Sequence, residues 1–167
     1  MRETIVGKAW KVGDNVDTDQ IYPGRYLPLT DVEEMAKHAM EGLEGLETFA
    51  EDVSPGDVLV AGRNFGCGSS REHAALALKN CGVTVVAESF ARIFYRNAVN
   101  IGLPILEVPG ISEAVEQGHK LQVDFKEGGV RNLTTGEEVV SEPLPGLEAE
   151  ILGAGGLLNY LKGKKPT

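Results

Sequence analysis

A short segment rich in glycine and serine, Gly66-Cys-Gly-Ser-Ser-Arg71, concentrates side chains that can do chemistry. It lies between an apolar run and a helical pattern, and Ser69 precedes Glu72 by three residues, which matches a capping box. We therefore predict Ser69 at or next to a helix N-cap, where free N–H groups and the helix dipole favour anions. Because Arg71 can hold a carboxylate or phosphate in a bidentate manner, the segment predicts a site for a small anion.

Ser69 has two possible roles in this segment. A serine hydroxyl is a poor base, and only a site crowded with N–H donors and an arginine makes its alkoxide accessible. The other role is a helix cap without chemistry, and the motif alone does not separate the two. Three common motifs are excluded, since a dinucleotide fingerprint needs glycine where Arg71 stands, a P-loop needs Gly-Lys-Ser/Thr and a nucleophile elbow needs G-x-S-x-G.

Cysteine and histidine residues do not predict a metal site. Cys67 and Cys81 form no C-x-x-C pair, so they predict neither a disulfide framework nor a self-sufficient zinc or iron–sulfur site. No two of the three histidines stand at ligand spacing, and we expect each ring to be hydrogen-bonded in an ordinary surface or core position. These histidines are His38, His73 and His119.

Alternating apolar runs and helical patterns predict the elements that position the segment. Strands are expected over residues 5–12, 58–61, 83–87, 103–108, 121–125 and 130–140. Helices are expected from a Thr30-x-x-Glu33 capping box to about Gly45, over 72–80, 89–100 and 151–161, and briefly after Ile111. Strand–helix alternation implies parallel pairing with right-handed crossovers. The prediction is a single α/β domain over residues 1–167, with a mixed, partly parallel sheet flanked by helices.

Composition restricts the class of protein. The chain has 167 residues and a formal net charge of −9, which suits one domain and disfavours nucleic acid as a partner. No apolar run approaches the roughly 18 residues of a membrane helix, and charges near the N-terminus argue against a signal peptide, so we expect a cytoplasmic protein without a membrane partner. The centre of the chain is nonetheless rich in arginine, which suggests a small anionic ligand, although surface ion pairs explain the same composition more simply. The arginines are Arg63, Arg71, Arg92 and Arg96.

Several segments carry a specific family pattern. They are Gly66-Cys-Gly-Ser-Ser-Arg-Glu-His-Ala-Ala75, Ser89-Phe-Ala-Arg-Ile-Phe-Tyr-Arg-Asn97, Gly102-Leu-Pro104, Asp14-Asn-Val-Asp-Thr-Asp-Gln-Ile21 and Gly153-Ala-Gly-Gly-Leu-Leu158. Together they resemble the small subunits of 3-isopropylmalate dehydratase, which are similar to the swivelling C-terminal domain of aconitase. The resemblance covers essentially the whole chain.

The resemblance implies a hydro-lyase of two chains. In the family a larger subunit holds a 4Fe-4S cluster on three cysteines, and we expect this chain to bind no metal itself. Ser69 matches the serine that acts as general base, and Ser70 and Arg71 match the pair that grips a carboxylate of the dicarboxylate substrate. Asp19 matches an acid near the substrate loop, although an Asx turn or a bond to a nearby arginine would explain it equally well.

The resemblance also bears on other side chains near the site. Cys67 is expected to be packing that is typical of the family, without a nucleophilic role. Arg92 and Arg96 could face the site, but bracing of their helix against the sheet is the preferred interpretation.

Substrate choice is expected to depend on the loop Gly24-Arg-Tyr-Leu-Pro-Leu-Thr30. Relatives that handle homocitrate-type tricarboxylates carry arginine directly after Tyr-Leu, whereas Pro28 and Leu29 stand here and offer no partner to a third carboxylate. The expected substrate is isopropylmalate in leucine biosynthesis, ahead of citramalate or dimethylmalate, with homoaconitase chemistry last. Arg25 would change this if the loop shifted, and the apolar pair could simply pack the loop.

Two other classes of function remain open at this stage. A serine hydrolase would use Ser69 with His73 one helical turn away, although a histidine on the same helix is badly placed for that role. A regulatory module that binds an anion without catalysis would also explain the helix N-terminus and Arg71.

Overall fold

The computed structural model describes residues 3–163, which form one seven-stranded mixed sheet flanked by helices, as predicted. The strands are β1 (Thr4–Lys11), β2 (Val58–Ala61), β3 (Thr84–Ala87), β4 (Ile105–Glu107), β5 (Lys120–Asp124), β6 (Gly129–Asn132) and β7 (Glu138–Val140). Their order is β4-β3-β2-β1-β5-β6-β7. β1 to β4 pair in parallel, and β5, β6 and β7 extend the sheet from β1 in antiparallel fashion.

Eight helices and one 3-10 turn lie within the same residues. The helices are α1 (Thr18–Ile21), α2 (Val32–Ala36), α3 (Phe49–Asp52), α4 (Glu72–Asn80), α5 (Arg92–Ile101), α6 (Ile111–Ala114), α7 (Gly146–Gly153) and α8 (Leu157–Gly163), and the 3-10 turn is Gly24–Tyr26. None of them is both long and apolar enough to cross a bilayer.

The parallel half of the sheet is the centre of the core. β2 and β3 are buried at every position, which is why they are continuous runs of valine, leucine, alanine and threonine. β1 has parallel β2 on one side and antiparallel β5 on the other. Since β1 and β2 are parallel, the loops that follow them leave the sheet at the same edge.

The predicted helix from Thr30 to Gly45 is wrong in its cap and in its length. Asp31, not Thr30, is the N-cap, because its carboxylate accepts a bond from the N–H of Glu33. The regular helix ends at Ala36, and the chain continues in turns to Met40, which is fully buried with φ +63°. Packing of Met40 into the core therefore overrides the helical periodicity of this stretch.

The predicted closing helix is divided into α7 and α8. Gly155 and Gly156 separate the two with φ +88° and +127°. A β-carbon at Gly156 would lie 2.8 Å from the carbonyl oxygen of Asn100. Close backbone contact with α5 therefore interrupts the helix at these two glycines, although the helical pattern of the sequence continues beyond them. The expected strand over 130–140 is likewise the hairpin of β6 and β7.

Gly66 is a sensitive position in the loop that follows β2. Its φ is +85°, and a β-carbon there would overlap the ring of Phe94 on α5. We predict that Gly66→Ala lowers the free energy of unfolding by at least about 2 kcal/mol, because the left-handed backbone costs about 1–2 kcal/mol and overpacking about 1–3 kcal/mol. Urea unfolding measures this. Gly13→Ala is the control, since Gly13 has open space around it, and equal losses in both variants would contradict the prediction.

Candidate functional site

The loops after β1 and β2 continue the pairing of their strands beyond the sheet. Backbone bonds run from Asn15 N to Arg63 O at 2.8 Å, from Gly66 N to Val16 O at 2.8 Å and from Thr18 N to Cys67 O at 2.8 Å. This run of bonds, called the seam below, joins residues 13–18 to residues 62–69. It places the Asp-Thr-Asp motif directly against the glycine- and serine-rich segment.

Asp17 fixes the start of α1 at the end of the seam. Its carboxylate accepts a bond from Gln20 N at 2.8 Å, and the side chain of Gln20 accepts one from Asp17 N at 3.0 Å. This reciprocal capping box orients α1 so that Thr18 faces the segment and Asp19 faces solvent.

Thr18 is the direct partner of Ser69. The two hydroxyl oxygens lie 3.0 Å apart, and Ser69 N donates to Thr18 Oγ1 at 3.2 Å. Thr18 is 3% exposed, whereas Ser69 is exposed. Once Ser69 has lost its proton, Thr18 is the member of the pair that donates, so the contact stabilises a Ser69 alkoxide.

The predicted capping box of Ser69 and Glu72 is wrong. The N-cap of α4 is Arg71, and no side-chain capping bond closes the start of the helix. Gly68, with φ +104°, turns the chain before the helix, and the Ser69 hydroxyl is bound to Thr18, 51 positions away in the sequence. A long-range bond thus replaces the local one, and the interpretation of Ser69 as a simple helix cap fails with it.

Arg71 is oriented by Asp19. Arg71 Nη1 lies 3.2 Å from Asp19 Oδ1, and the same oxygen accepts Gly24 N at 2.9 Å. The N–H of Gly24 and then the guanidinium of Arg71 hold the pKa of Asp19 below its ordinary value. Asp19 is therefore the partner of a nearby arginine, as one of the explanations above expects, and its role toward a substrate stays a prediction.

Ser70 is held through its backbone. Its carbonyl oxygen accepts Asn97 Nδ2 of α5 at 3.1 Å, and the residue is exposed. Within residues 3–163 the Ser70 hydroxyl has no hydrogen-bond partner. Ser69, Ser70 and Arg71 are thus consecutive residues that α1 and α5 hold in place: Thr18 and Asp19 of α1 bind Ser69 and Arg71, and Asn97 of α5 binds Ser70.

The three histidines do not behave alike. His119 Nδ1 accepts Glu116 N at 3.1 Å, and His38 Nδ1 lies 2.6 Å from Glu41 Oε2, so both are hydrogen-bonded as predicted. The prediction is wrong for His73, whose Nδ1 is buried without a partner in the described chain and whose ring stacks on Tyr22 at 5.7 Å between centroids. Within residues 3–163 no hydrogen bond joins His73 to Ser69, whose hydroxyl is bound to Thr18, so the structure gives a serine hydrolase no support.

The structure places the remaining candidates around this surface. Pro28 is exposed and Leu29 is half-buried against the core. Arg25 is bound by Glu41 at 2.9 Å. Arg92 and Arg96 do not show the bracing expected of them, because both are exposed and neither forms a hydrogen bond or ion pair with residues 3–163.

The cysteines lie apart in the fold and differ in environment. Cys67 is half-buried in the seam, where its carbonyl binds Thr18. Cys81 follows the last residue of α4, and burial raises the pKa of its thiol to about 11. Over the described part of the chain, no group of three or more His, Cys, Asp and Glu side chains is arranged to hold a metal ion.

Thr18 and Asn97 are the two residues of this surface that sequence reasoning missed. Both lie in segments that carry the family pattern, but neither has a local signal for its partner. Thr18 could have been found from strand order alone, because parallel β1 and β2 must bring their following loops to one edge of the sheet. Asn97 required the packing of α5.

Comparisons with known proteins show the family to which the chain belongs. The family model of the aconitase C-terminal domain matches residues 6–110. The chain is 56% identical to 3-isopropylmalate dehydratase small subunit 1 of Methanopyrus kandleri, over 99% of this chain and 97% of the relative. It is 55% identical to the isopropylmalate/citramalate isomerase small subunit of Methanocaldococcus jannaschii, over 98% and 97% of the two chains.

A solved structure extends the similarity to three dimensions. The crystal structure of a 3-isopropylmalate dehydratase chain from Methanocaldococcus jannaschii superposes with a TM-score of 0.91 at 48% identity, over 96% of this chain and 95% of the other. The fold and the family resemblance inferred from the sequence are confirmed.

Proposed function

The chain belongs to the aconitase C-terminal domain family, as a small subunit of the 3-isopropylmalate dehydratase type, and from this premise we propose the reaction and the roles of its residues. We propose that it works with a larger iron–sulfur subunit to interconvert 2-isopropylmalate and 3-isopropylmalate by loss and re-addition of water. One observation carries the proposal: the Ser69 hydroxyl is held by the buried Thr18. Ser69 is followed directly in the sequence by Ser70 and Arg71. A base beside a carboxylate-binding arginine is what removal of a proton next to a carboxylate requires.

Ser69 is the general base of this proposal. Its Oγ takes the proton from the carbon next to a substrate carboxylate, and that electron pair forms the double bond as hydroxide leaves the neighbouring carbon. Thr18 Oγ1 lies 3.0 Å from Ser69 Oγ, so its hydroxyl can donate to the alkoxide that takes the proton. Hydroxide then adds to the carbon that lost the proton, and the proton held by Ser69 goes to the carbon that lost hydroxide, which completes the isomerisation.

Arg71 and Ser70 bind the carboxylate whose charge grows during proton removal. A guanidinium has five N–H donors, and Asp19 contacts Arg71 through Nη1. The donors not used by Asp19 are available to substrate, in an orientation fixed by the Asp19 and Gly24 bonds. The unpartnered hydroxyl of Ser70 adds a donor on the same surface.

A partner subunit is needed to complete the site. Ser69 and Ser70 are exposed, and an alkoxide in open water would be reprotonated, so a second surface must exclude water from it. The described residues do not fit a metal centre, and we assign the 4Fe-4S cluster, which supplies the Lewis acid for the leaving hydroxyl, to the large subunit. In this proposal residues 1–167 act as one swivelling-type domain within a cytoplasmic heterodimer or heterotetramer.

Pro28 and Leu29 support isopropylmalate as the preferred substrate. They follow the turn Gly24–Tyr26. The first residue of this turn, Gly24, is hydrogen-bonded to Asp19, which also contacts Arg71. An apolar pair suits the isopropyl group and leaves a third carboxylate unpaired. Citramalate is the second candidate, because the Methanocaldococcus jannaschii relative is named an isopropylmalate/citramalate isomerase small subunit.

Reconstitution with the large subunit tests the catalytic proposal. The mixture should turn over isopropylmalate, while either chain alone should not. Ser69→Ala in the reconstituted enzyme should lower kcat by roughly 100-fold or more, because a general base is worth that much, and should leave the fold intact since Ser69 is exposed. Ser54→Ala, at an exposed serine before β2, is the control. Near-normal kcat in Ser69→Ala would refute the base assignment.

Substrate ranking tests the assignment of Pro28 and Leu29. We expect kcat/KM of the reconstituted enzyme to be highest for isopropylmalate, lower for citramalate and dimethylmalate by about tenfold or more, since one methylene is worth roughly 10–200-fold, and lowest for homocitrate or homoaconitate. Highest kcat/KM for citramalate would favour the second candidate. Highest kcat/KM for a tricarboxylate would refute the role of the apolar pair.

A further inference from the structure

Glu41 gathers three side chains around the turn that precedes Pro28. Its Oε1 accepts Arg25 Nη2 at 2.9 Å and the Tyr26 hydroxyl, and its Oε2 accepts His38 Nδ1 at 2.6 Å. The Tyr26 ring stacks on the His38 ring with centroids 3.6 Å apart. Burial raises the pKa of Glu41, but the bonds from Tyr26, His38 and Arg25 outweigh it and hold the pKa below its ordinary value. The four residues form what we call the Glu41 cluster.

The backbone around Glu41 is seated on α1. Met40 N donates to Ile21 O at 2.7 Å, and Gly42 N donates to Gln20 O at 3.0 Å. Met40 adopts φ +63°, a conformation that is unfavourable for a residue with a β-carbon. A β-carbon at Gly42 would lie 2.6 Å from Asp19 O. A strained residue and an obligatory glycine therefore hold the Glu41 carboxylate at a fixed place relative to Asp19.

The turn Gly24–Tyr26 links this cluster to the catalytic surface. At its first residue, Gly24 N is bound by Asp19, and a β-carbon at Gly24 would lie 3.6 Å from Arg71 Nη1 and Nη2. Neighbouring Cα atoms are about 3.8 Å apart, so the backbone of Arg25 lies close enough to the Arg71 guanidinium for the Arg25 side chain to reach it. At its third residue, the Tyr26 carbonyl accepts the hydroxyl of buried Tyr22 at 2.6 Å.

Arg25 is the one cation of the substrate loop, residues 24–30. Its side chain is 65% exposed, and its guanidinium lies 4.7 Å from the centroid of the Tyr26 ring and is bound to Glu41. Without its bond to Glu41, the Arg25 guanidinium would be a partner for a third carboxylate of the substrate, which Pro28 and Leu29 cannot be. The ion pair with Glu41 directs it away from that use.

We propose that Glu41 is a positioning residue for substrate choice, which fixes the loop 24–30 and keeps Arg25 away from bound substrate. Tricarboxylates are then rejected for two reasons, the apolar pair and the sequestered arginine. This inference rests on the proposed function, since it assigns the source of selectivity at that same surface. Glu41 touches neither substrate nor the reacting atoms in this account.

Glu41→Gln is the informative variant, because it keeps the shape and the acceptor for Tyr26 but removes the charge that binds Arg25. Its matched control is Glu34→Gln, which removes the same charge from an exposed acid bound to Lys37. In the isolated full chain, amide exchange in residues 24–30 should become faster in Glu41→Gln and stay unchanged in Glu34→Gln. In the reconstituted enzyme, the kcat/KM ratio of homocitrate to isopropylmalate should rise about tenfold in Glu41→Gln, the effect of one charged hydrogen bond, with kcat for isopropylmalate little changed.

A second substitution identifies Arg25 as the cause. Adding Arg25→Gln to Glu41→Gln should return the substrate ratio to that of the unmodified enzyme, whereas a merely structural role of Glu41 would leave the ratio of the double variant displaced. Unchanged amide exchange in Glu41→Gln would overturn the positioning role of Glu41. This outcome is separate from a failure of the proposed function, which would show as no turnover of isopropylmalate by the wild-type assembly. Faster exchange with an unchanged substrate ratio would overturn the link to selectivity.

Discussion

The parallel pairing of β1 with β2, continued by the seam beyond the sheet, is the constraint on which the site depends. It joins two parts of the chain that are about 50 positions apart and brings a buried threonine to an exposed serine. The turns of the seam require positive φ at positions 66 and 68, which is why glycine suits both positions. Without this backbone pairing, Ser69 would be an ordinary serine in a loop.

The chemistry of the surface follows from the hydrogen bonds that Thr18 and Asp19 each make to more than one group. Thr18 accepts the backbone N–H of Ser69 and contacts its hydroxyl, so one buried oxygen holds both the backbone and the side chain of the proposed base. Asp19 occupies one side of Arg71 and is itself held by Gly24. The surface is therefore preorganised for an anion but open to water, as expected for one half of a site that a larger subunit covers.

The sequence predicts the local elements well and the long-range contacts poorly. β2 and α4 have the predicted bounds, because an apolar run and a helical pattern between glycines are local signals. The predicted helix cap at Ser69 fails because a bond from Thr18 competes with the capping bond, and the helix after Asp31 ends early because Met40 is drawn into the core. The roles of Ser69, Ser70, Arg71 and Asp19 are predictions from the family pattern, whereas the contacts of Thr18, Asn97 and Glu41 depend on packing that no short motif contains.

A double-mutant cycle on Thr18 and Ser69 in the reconstituted enzyme measures the central interaction directly. Thr18→Val removes the hydroxyl and keeps the shape, and its effect on kcat is compared in the presence and absence of Ser69→Ala. If Thr18 acts through the Ser69 oxygen, Thr18→Val lowers kcat by about tenfold or more in the wild-type background and has almost no further effect once Ser69 is alanine. Equal losses in the two backgrounds would contradict the account, because Thr18 would then act independently of the proposed base.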